Sequence, residues 1–160
     1  MHIETKSLKL VHLTLQEVRA CVAAMGPAEK AELSAAWLEL LRASTAPDPW
    51  VHGFSLVHRD SDIVVGKAGF TGPPAVDGAV EIAYGVFPIY QGKGYATEAA
   101  QALIAFAFSS ERVHVVRAHT LLDSNASKRV LTKCGFQLIG EVVDPEDGLV
   151  LRWEKRNEAA

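Results

Sequence analysis

The chain has 160 residues, 49% of them hydrophobic and 22% charged, with a net charge of −3. That length fits one domain over residues 1–160 whose core needs neither disulfides nor a metal, and the apolar share is too high for a disordered chain. No long basic run supplies the phosphate attraction of a nucleic-acid binder, and no apolar stretch reaches the roughly 20 residues that span a bilayer, so neither nucleic acid nor membrane is an expected partner.

The opening MHIETKSLKL lacks the apolar core of a signal peptide. Cys21 and Cys134 stand far apart without a CxxC pattern, which predicts two reduced thiols and a cytoplasmic setting. The six histidines form no HExxH or Cys/His cluster, so no metal is expected.

In chain order, residues 7–13 alternate as a short strand, and Thr14 with Glu17 forms the capping-box pattern that opens a helix to about Met25. Gly26-Pro27 interrupts it, and AEKAELSAAWLELLRA predicts a second helix with Leu33, Trp37, Leu40 and Leu41 on one face. TAPDPW predicts an irregular loop, because each proline lacks an N–H and restricts the residue before it. Residues 53–59 and 62–71 predict two strands around a turn at Asp60-Ser61, and AVEIAYGVF a third.

After the loop YQGKG, a helix runs to about Ser110, with Ala96, Ala99, Ala100, Leu103, Ile104 and Ala107 at helical spacing. Residues 113–120 predict a strand, and SNASKRVLTKCGF a short helix opened by a capping residue and stopped at Gly135. A hairpin closes the chain, about 136–143 and 149–155, turning at DPEDG. The order β-α-α-β-β-β-α-β-α-β-β combines a meander with crossover helices, which makes the class α/β (α+β) with a mixed central sheet.

YQGKGYATEAA is the most informative stretch. Gly92 and Gly94 allow a sharp turn and close approach, and the helix opening at Tyr95, Ala96 and Thr97 aims unpaired N–H groups at the loop. Such a site favours phosphate, helped by the helix dipole and the Thr97 hydroxyl. Lys93 contributes its backbone N–H more readily than its solvated ammonium. A Walker loop fails because Gly94, not Ser or Thr, follows Lys93, and a dinucleotide fingerprint fails because Thr97 stands where its third glycine belongs.

Gln91, Gly94 and Ala96 instead fit a Gln/Arg-x-x-Gly-x-Gly/Ala pattern. With EIAYGVFPIYQGKGYATEA around it, NASKRVLTKCGF downstream and the closing DGLVLRWE, the chain from about 53 to 154 resembles the GNAT acetyltransferase superfamily, in its ribosomal-protein N-terminal acetyltransferase branch. The resemblance implies acetyl-CoA as co-substrate, its pyrophosphate held by residues 91–97, and direct transfer of the acetyl group to a small-molecule or peptide amine. It also implies a monomer or a homodimer.

Transfer of this kind needs a neutral amine, and unperturbed amines have pKa values of about 8 (α-amino) to about 10 (lysine), so a nearby carboxylate is required. Glu81 sits on the strand where some family members place the base, with Ala83, Gly85 and Phe87 on its face and Val80, Ile82, Tyr84 and Val86 on the core face. Glu141, Glu146 and Asp147 are rivals, although DPEDG is explained by turn preference alone. The resemblance further implies a backbone N–H near Val86 or Phe87 for the oxyanion or pantetheine. It implies Ser127 as acid or thiolate partner, because Leu131 stands where many relatives carry a tyrosine. Asn125 is implied as the pantetheine contact, with Ser124 as the alternative register. That departure at Leu131 keeps a second reading open, a coenzyme-A-binding sensor without turnover. Trp50, Asp48 and Glu146 are candidates for the acceptor groove.

Overall fold

The computed structural model of the protein describes residues 2–31, 33–145 and 147–157. Strands β1 (His2–Glu4) and β2 (Leu8–His12) precede α1 (Leu15–Ala24), α2 (Pro27–Ala31), α3 (Ala35–Ala43) and α4 (Pro49–His52). A meander of β3 (Phe54–His58), β4 (Val64–Phe70) and β5 (Ala79–Val86) follows, then a 3-10 turn (Pro88–Tyr90) and α5 (Tyr95–Phe108). The chain ends with β6 (Val115–Thr120), α6 (Asn125–Lys133), β7 (Gln137–Asp144) and β8 (Gly148–Arg156). The sheet order is β1-β2-β3-β4-β5-β6-β8-β7, mixed as expected, with β5 and β6 the parallel pair and α5 the crossover between them.

Two forces hold this arrangement. Alternation along the strands buries Leu8, Leu10, Phe54, Leu56, Val80, Ile82, Val116 and Ala118 on one side of the sheet. Against them α5 sets Ala99, Ala100, Leu103, Ile104 and Ala107, whose small alanines let the helix lie close to the strands. Ala102 is buried as well. Phe70, Trp50 and Phe106 pack as a ring cluster at the end of this core, with Trp50 4.7 Å from Phe70 and 5.2 Å from Phe106. The capping box forms as read from the sequence: Glu17 N–H donates to Thr14 Oγ1 and Thr14 N–H to Glu17 Oε1, both at 3.1 Å.

Three local readings change. The helix expected over AEKAELSAAWLELLRA is two, because Ser34 takes the cap position and accepts from Trp37 N–H at 3.2 Å, so α3 starts there. TAPDPW is partly helical, since Asp48 caps α4 through Trp50 N–H and Pro49 fills its first position, where a missing N–H costs nothing. The two-residue turn expected at Asp60-Ser61 is longer: β4 begins at Val64 and Asp62 adopts φ 58°. β1 extends the sheet by an edge strand paired to β2, Ile3 opposite Leu10.

Candidate active site

The glycines of the loop are there for conformation. Gly92 (φ 80°) and Gly94 (φ 85°) both occupy the left-handed region, while a Cβ at either position would meet nothing within 4 Å. Gly94 stands at the N-cap of α5 without a side-chain cap, so the N–H groups of Tyr95, Ala96 and Thr97 stay open for an anion. Gln91 acts on the loop itself: its Nε2 donates to Val86 O at 3.0 Å and ties the loop back to the end of β5.

Glu98, in the first turn of α5, is turned away from the loop. Its Oε1 accepts from Thr5 Oγ1 at 2.7 Å and from Ser7 N–H at 2.8 Å. Burial pushes its carboxyl up, but these hydrogen bonds and the Lys6 charge outweigh burial and hold it below the usual value. The β1–β2 turn is thereby fastened to the helix that presents the loop.

Beside the loop the sheet opens. β5 and β6 pair only at Ala79–Val115, Val80–Val116 and Glu81–Arg117, and past Glu81 they part. Strand alternation decides which backbone groups face the gap. Thr71 N–H donates to Glu81 O at 3.0 Å and Phe87 N–H to Val65 O at 2.8 Å, so odd-numbered residues of this stretch bond to β4. Tyr84 and Val86 therefore direct their N–H groups into the gap. Of the two sequence candidates, Val86 has the open donor; the Phe87 donor is used by β4, and its half-exposed side chain does not line the cavity.

Gap and loop share one cavity of about 710 Å³. Tyr84, Gly85, Val86, Gln91, Gly92, Gly94, Tyr95, Ala96 and Thr97 line one side, and Ser124, Ser127, Arg129, Val130 and Lys133 of the α6 segment the other. Lys93 is exposed and lies outside the lining. Ser124, at the N-cap of α6, makes no capping bond with its side chain, whereas a capping residue was expected there. Ser124 and Ser127 line the cavity while Asn125 is exposed and does not. Burial, reinforced by Cys134, pushes the Tyr84 phenol up to about 12, which keeps it protonated.

Leu131 stands where the sequence resemblance implied a tyrosine in many relatives. It is fully buried and ends α6 in a Schellman motif, with Phe136 N–H donating to Leu131 O at 3.0 Å and Gly135 N–H to Thr132 O at 3.1 Å. Gly135 supplies the left-handed residue at φ 86°, the stop read from the sequence.

Glu81 lies on the sheet face opposite α5, at the last rung of the parallel joint. Its Oε2 is 2.9 Å from His119 Nδ1, and His119 Nε2 in turn accepts from Arg152 Nε at 3.1 Å. The Glu81 and His119 side chains are 33% and 15% exposed; neither lines the cavity, and Glu81 stands at the rung where the two strands part. Arg117, the rung partner of Glu81, is held by Glu154 at 2.8 Å. Among the rivals, Glu141 and Asp147 are exposed, Asp147 N–H closing the turn on Asp144 Oδ1 at 3.0 Å, and Glu146 lies outside the described residues. Asp48 caps α4, and the half-buried Trp50 packs against the edge of the core.

His119, Arg152, Tyr84, Arg129 and Lys133 escaped the sequence reading. Arg129 and Lys133 carried a signal, basic residues four apart on a short helix that also offers Ser127. His119 and Arg152 carried none, since their meeting with Glu81 depends on strand neighbours far apart in the chain. Cys21 and Cys134 are unbridged, and burial pushes the Cys134 thiol pKa up. Among the described residues no group of three or more His, Cys, Asp or Glu side chains is placed to hold a metal, and no helix is long and apolar enough to cross a membrane.

Comparison with known proteins agrees with this geometry. Residues 6–137 match the family model of the acetyltransferase (GNAT) domain. Over 91 residues the chain is 37% identical to the uncharacterized N-acetyltransferase YjdG of Bacillus subtilis, covering 57% of this chain and 52% of that protein. Over 93 residues it is 32% identical to the uncharacterized N-acetyltransferase p20 of Bacillus licheniformis, covering 58% of this chain and 52% of the relative. The chain thus matches about half the length of these relatives. The fold superimposes with TM-score 0.72 on RimL, a ribosomal L7/L12 alpha-N-protein acetyltransferase solved with coenzyme A, at 16% identity and 100% coverage of both chains. A GNAT-family acetyltransferase from Bacillus anthracis gives TM-score 0.69 at 18% identity, covering 98% of both. An open helix terminus beside a parted parallel strand pair, within a family match over most of the chain, shows that this protein belongs to the GNAT acetyltransferase family.

Proposed function

We propose that residues 1–160 act as a single N-acetyltransferase domain that moves an acetyl group from acetyl-CoA directly to a primary amine, on a protein N-terminus or a small molecule. The observation that carries this reading is the shared cavity: an anion-binding helix terminus and a strand edge with unpaired N–H groups open into the same 710 Å³ space. That volume suits a sizeable small-molecule ligand. The N–H groups of the loop and of Tyr95 to Thr97 are positioned for a pyrophosphate, and Arg129 and Lys133 bring positive charge to the opposite wall for further phosphate.

Glu81 accepts the proton of the acceptor ammonium, directly or through one water, which frees the nitrogen lone pair. The amine nitrogen attacks the thioester carbonyl carbon, and the Val86 N–H meets the oxygen as it becomes negative. As the C–N bond is completed the C–S bond breaks, and the second proton lost by the nitrogen passes, directly or through water, to the departing sulfur, which leaves as the free thiol. The sulfur departs on the α6 side, where Ser127 offers a hydroxyl in place of the absent tyrosine. No covalent enzyme intermediate is needed, so both cysteines stay outside the chemistry. We place the reaction in the cytoplasm, on the strength of the two free thiols.

Release of free thiol from acetyl-CoA in the presence of peptides with free N-termini, amino acids, polyamines and aminoglycosides tests the reading. Turnover with at least one class is expected; silence across all of them overturns it. Exchanging both Arg129 and Lys133 for alanine is expected to raise KM for acetyl-CoA by roughly 5- to 30-fold with kcat retained, the loss of about 1–2 kcal/mol of charge-assisted contact. The buried Leu131 favours a second reading, a coenzyme-A-responsive sensor. Tight acetyl-CoA binding by calorimetry with no acceptor turnover selects that one.

A further inference from the structure

We propose that His119 is a positioning residue for the Glu81 carboxylate, with Arg152 fixing which nitrogen of its ring carries the proton; this deepens, and rests on, the reading of Glu81 as the base. His119 and Arg152 face each other as direct partners on β6 and β8, and Glu81 reaches His119 from the neighbouring β5. Three strands thus supply one row of polar side chains on the same sheet face.

The chemistry of arginine decides the direction of the row. A guanidinium only donates and keeps its protons, so the Nε2 that receives Arg152 Nε at 3.1 Å is the lone-pair nitrogen of a neutral ring. The ring proton then sits on Nδ1 and is donated to Glu81 Oε2 across 2.9 Å. One carboxylate oxygen is thereby anchored, and Oε1 has no partner among the described residues and is left for the acceptor amine or a bridging water. A neutral anchor suits the task. Arg117, the cation nearest along the joint, is diverted to Glu154 and does not compete with an ammonium for Glu81.

The same arrangement argues against His119 itself as the base, since its lone pair is already occupied. Its value is geometric: a glutamate at the end of a three-rung joint is held in one orientation instead of sampling several.

The test joins a spectroscopic and a kinetic readout on the full chain. Long-range ¹H–¹⁵N correlation on the histidine ring is expected to show His119 as the Nδ1–H tautomer in the wild type, and to show that preference lost in Arg152→Met. Thiol release from acetyl-CoA with a pool of small primary amines and free-N-terminus peptides gives kcat and KM. His119→Leu is expected to lower kcat roughly 10- to 100-fold, part of the 10²–10⁴ that a placed base supplies, with KM for acetyl-CoA within about twofold of wild type. His119→Asn, which keeps an N–H near the Nδ1 position, is expected to recover most of the loss. An Nε2–H tautomer in the wild type overturns the proposal, as does a wild-type kcat in His119→Leu. His119→Asn as impaired as His119→Leu, with both melting like wild type, also overturns it, because the imidazole itself then handles the proton. Glu81→Gln separates the two claims. If it keeps wild-type turnover the base reading falls; if it loses turnover while His119→Leu does not, only the positioning role falls.

Discussion

Gly94 shows how much a single position decides. With φ at 85° and nothing within 4 Å of a built Cβ, the demand is on the backbone and space is not limiting. Gly94→Ala is expected to cost about 1–2 kcal/mol of stability through the left-handed conformation alone, and to raise KM for acetyl-CoA as the first turn of α5 shifts. Gly94→Asn is expected to cost less, because asparagine tolerates that region. Denaturant midpoints and KM for the two variants check this, and equal damage from both would mean that the site cannot hold a Cβ at all. Residues of this kind were legible in the sequence because their reason is local: Gly92, Gly94 and Gly135 each serve a turn whose neighbours lie within a few positions. Val86 and Phe87 could not be told apart in the sequence because the direction of an N–H depends on ladder phase, and that phase is set by β4 pairing, which no short stretch displays.

The α6 segment makes the case for elements. Leu131 is fully buried at its C-terminal end, so a tyrosine placed there is expected to pack into the core and not to serve as an acid. Leu131→Tyr is expected to destabilise the protein by about 1–3 kcal/mol, from overpacking and a buried hydroxyl, without raising kcat. Thermal melts and turnover of that variant decide the matter, and a faster, fully stable variant would show that the helix can rotate the position into the cavity. Element boundaries were less legible than element existence. The Asp48-Pro49 pair carried the signal for α4, a capping residue followed by a first-position proline, but two prolines so close together outweighed it. Ser34 likewise lay inside an apolar pattern that read as one continuous helix.

Across the molecule, pH acts on stability through groups that do not line the cavity. His52 is 3% exposed, and its Nδ1 accepts the Asp48 N–H at 2.8 Å. Burial holds its pKa below the ordinary 6.5, the Asp48 charge opposing and His12 and Arg19 adding to the effect. The unfolded chain therefore binds this proton more readily. Stability is fully present above about pH 6.5 and falls as pH drops from there toward the lowered folded value. Chemical denaturation at pH 7.5 and pH 5.5 is expected to show that loss, and His52→Gln to flatten it; an unchanged slope in the variant would assign the acid sensitivity elsewhere. Glu98 adds a second decline below its ordinary 4.5, for the same reason of sign.

The three-rung joint between β5 and β6 has a mechanical side as well. The meander β1–β5 and the block β6–β8 are fastened edge to edge over a short seam, with α5 as the other strap, and the wedge between them stands open to solvent. A coenzyme lying in that wedge would brace it like a strut, touching the Val86 edge on one flank and α6 on the other. Acetyl-CoA is then expected to slow amide hydrogen exchange on both blocks together, in β6 and α6 as much as in the loop of residues 91–97. Protection confined to residues 91–97 would mean that the ligand only perches on the rim.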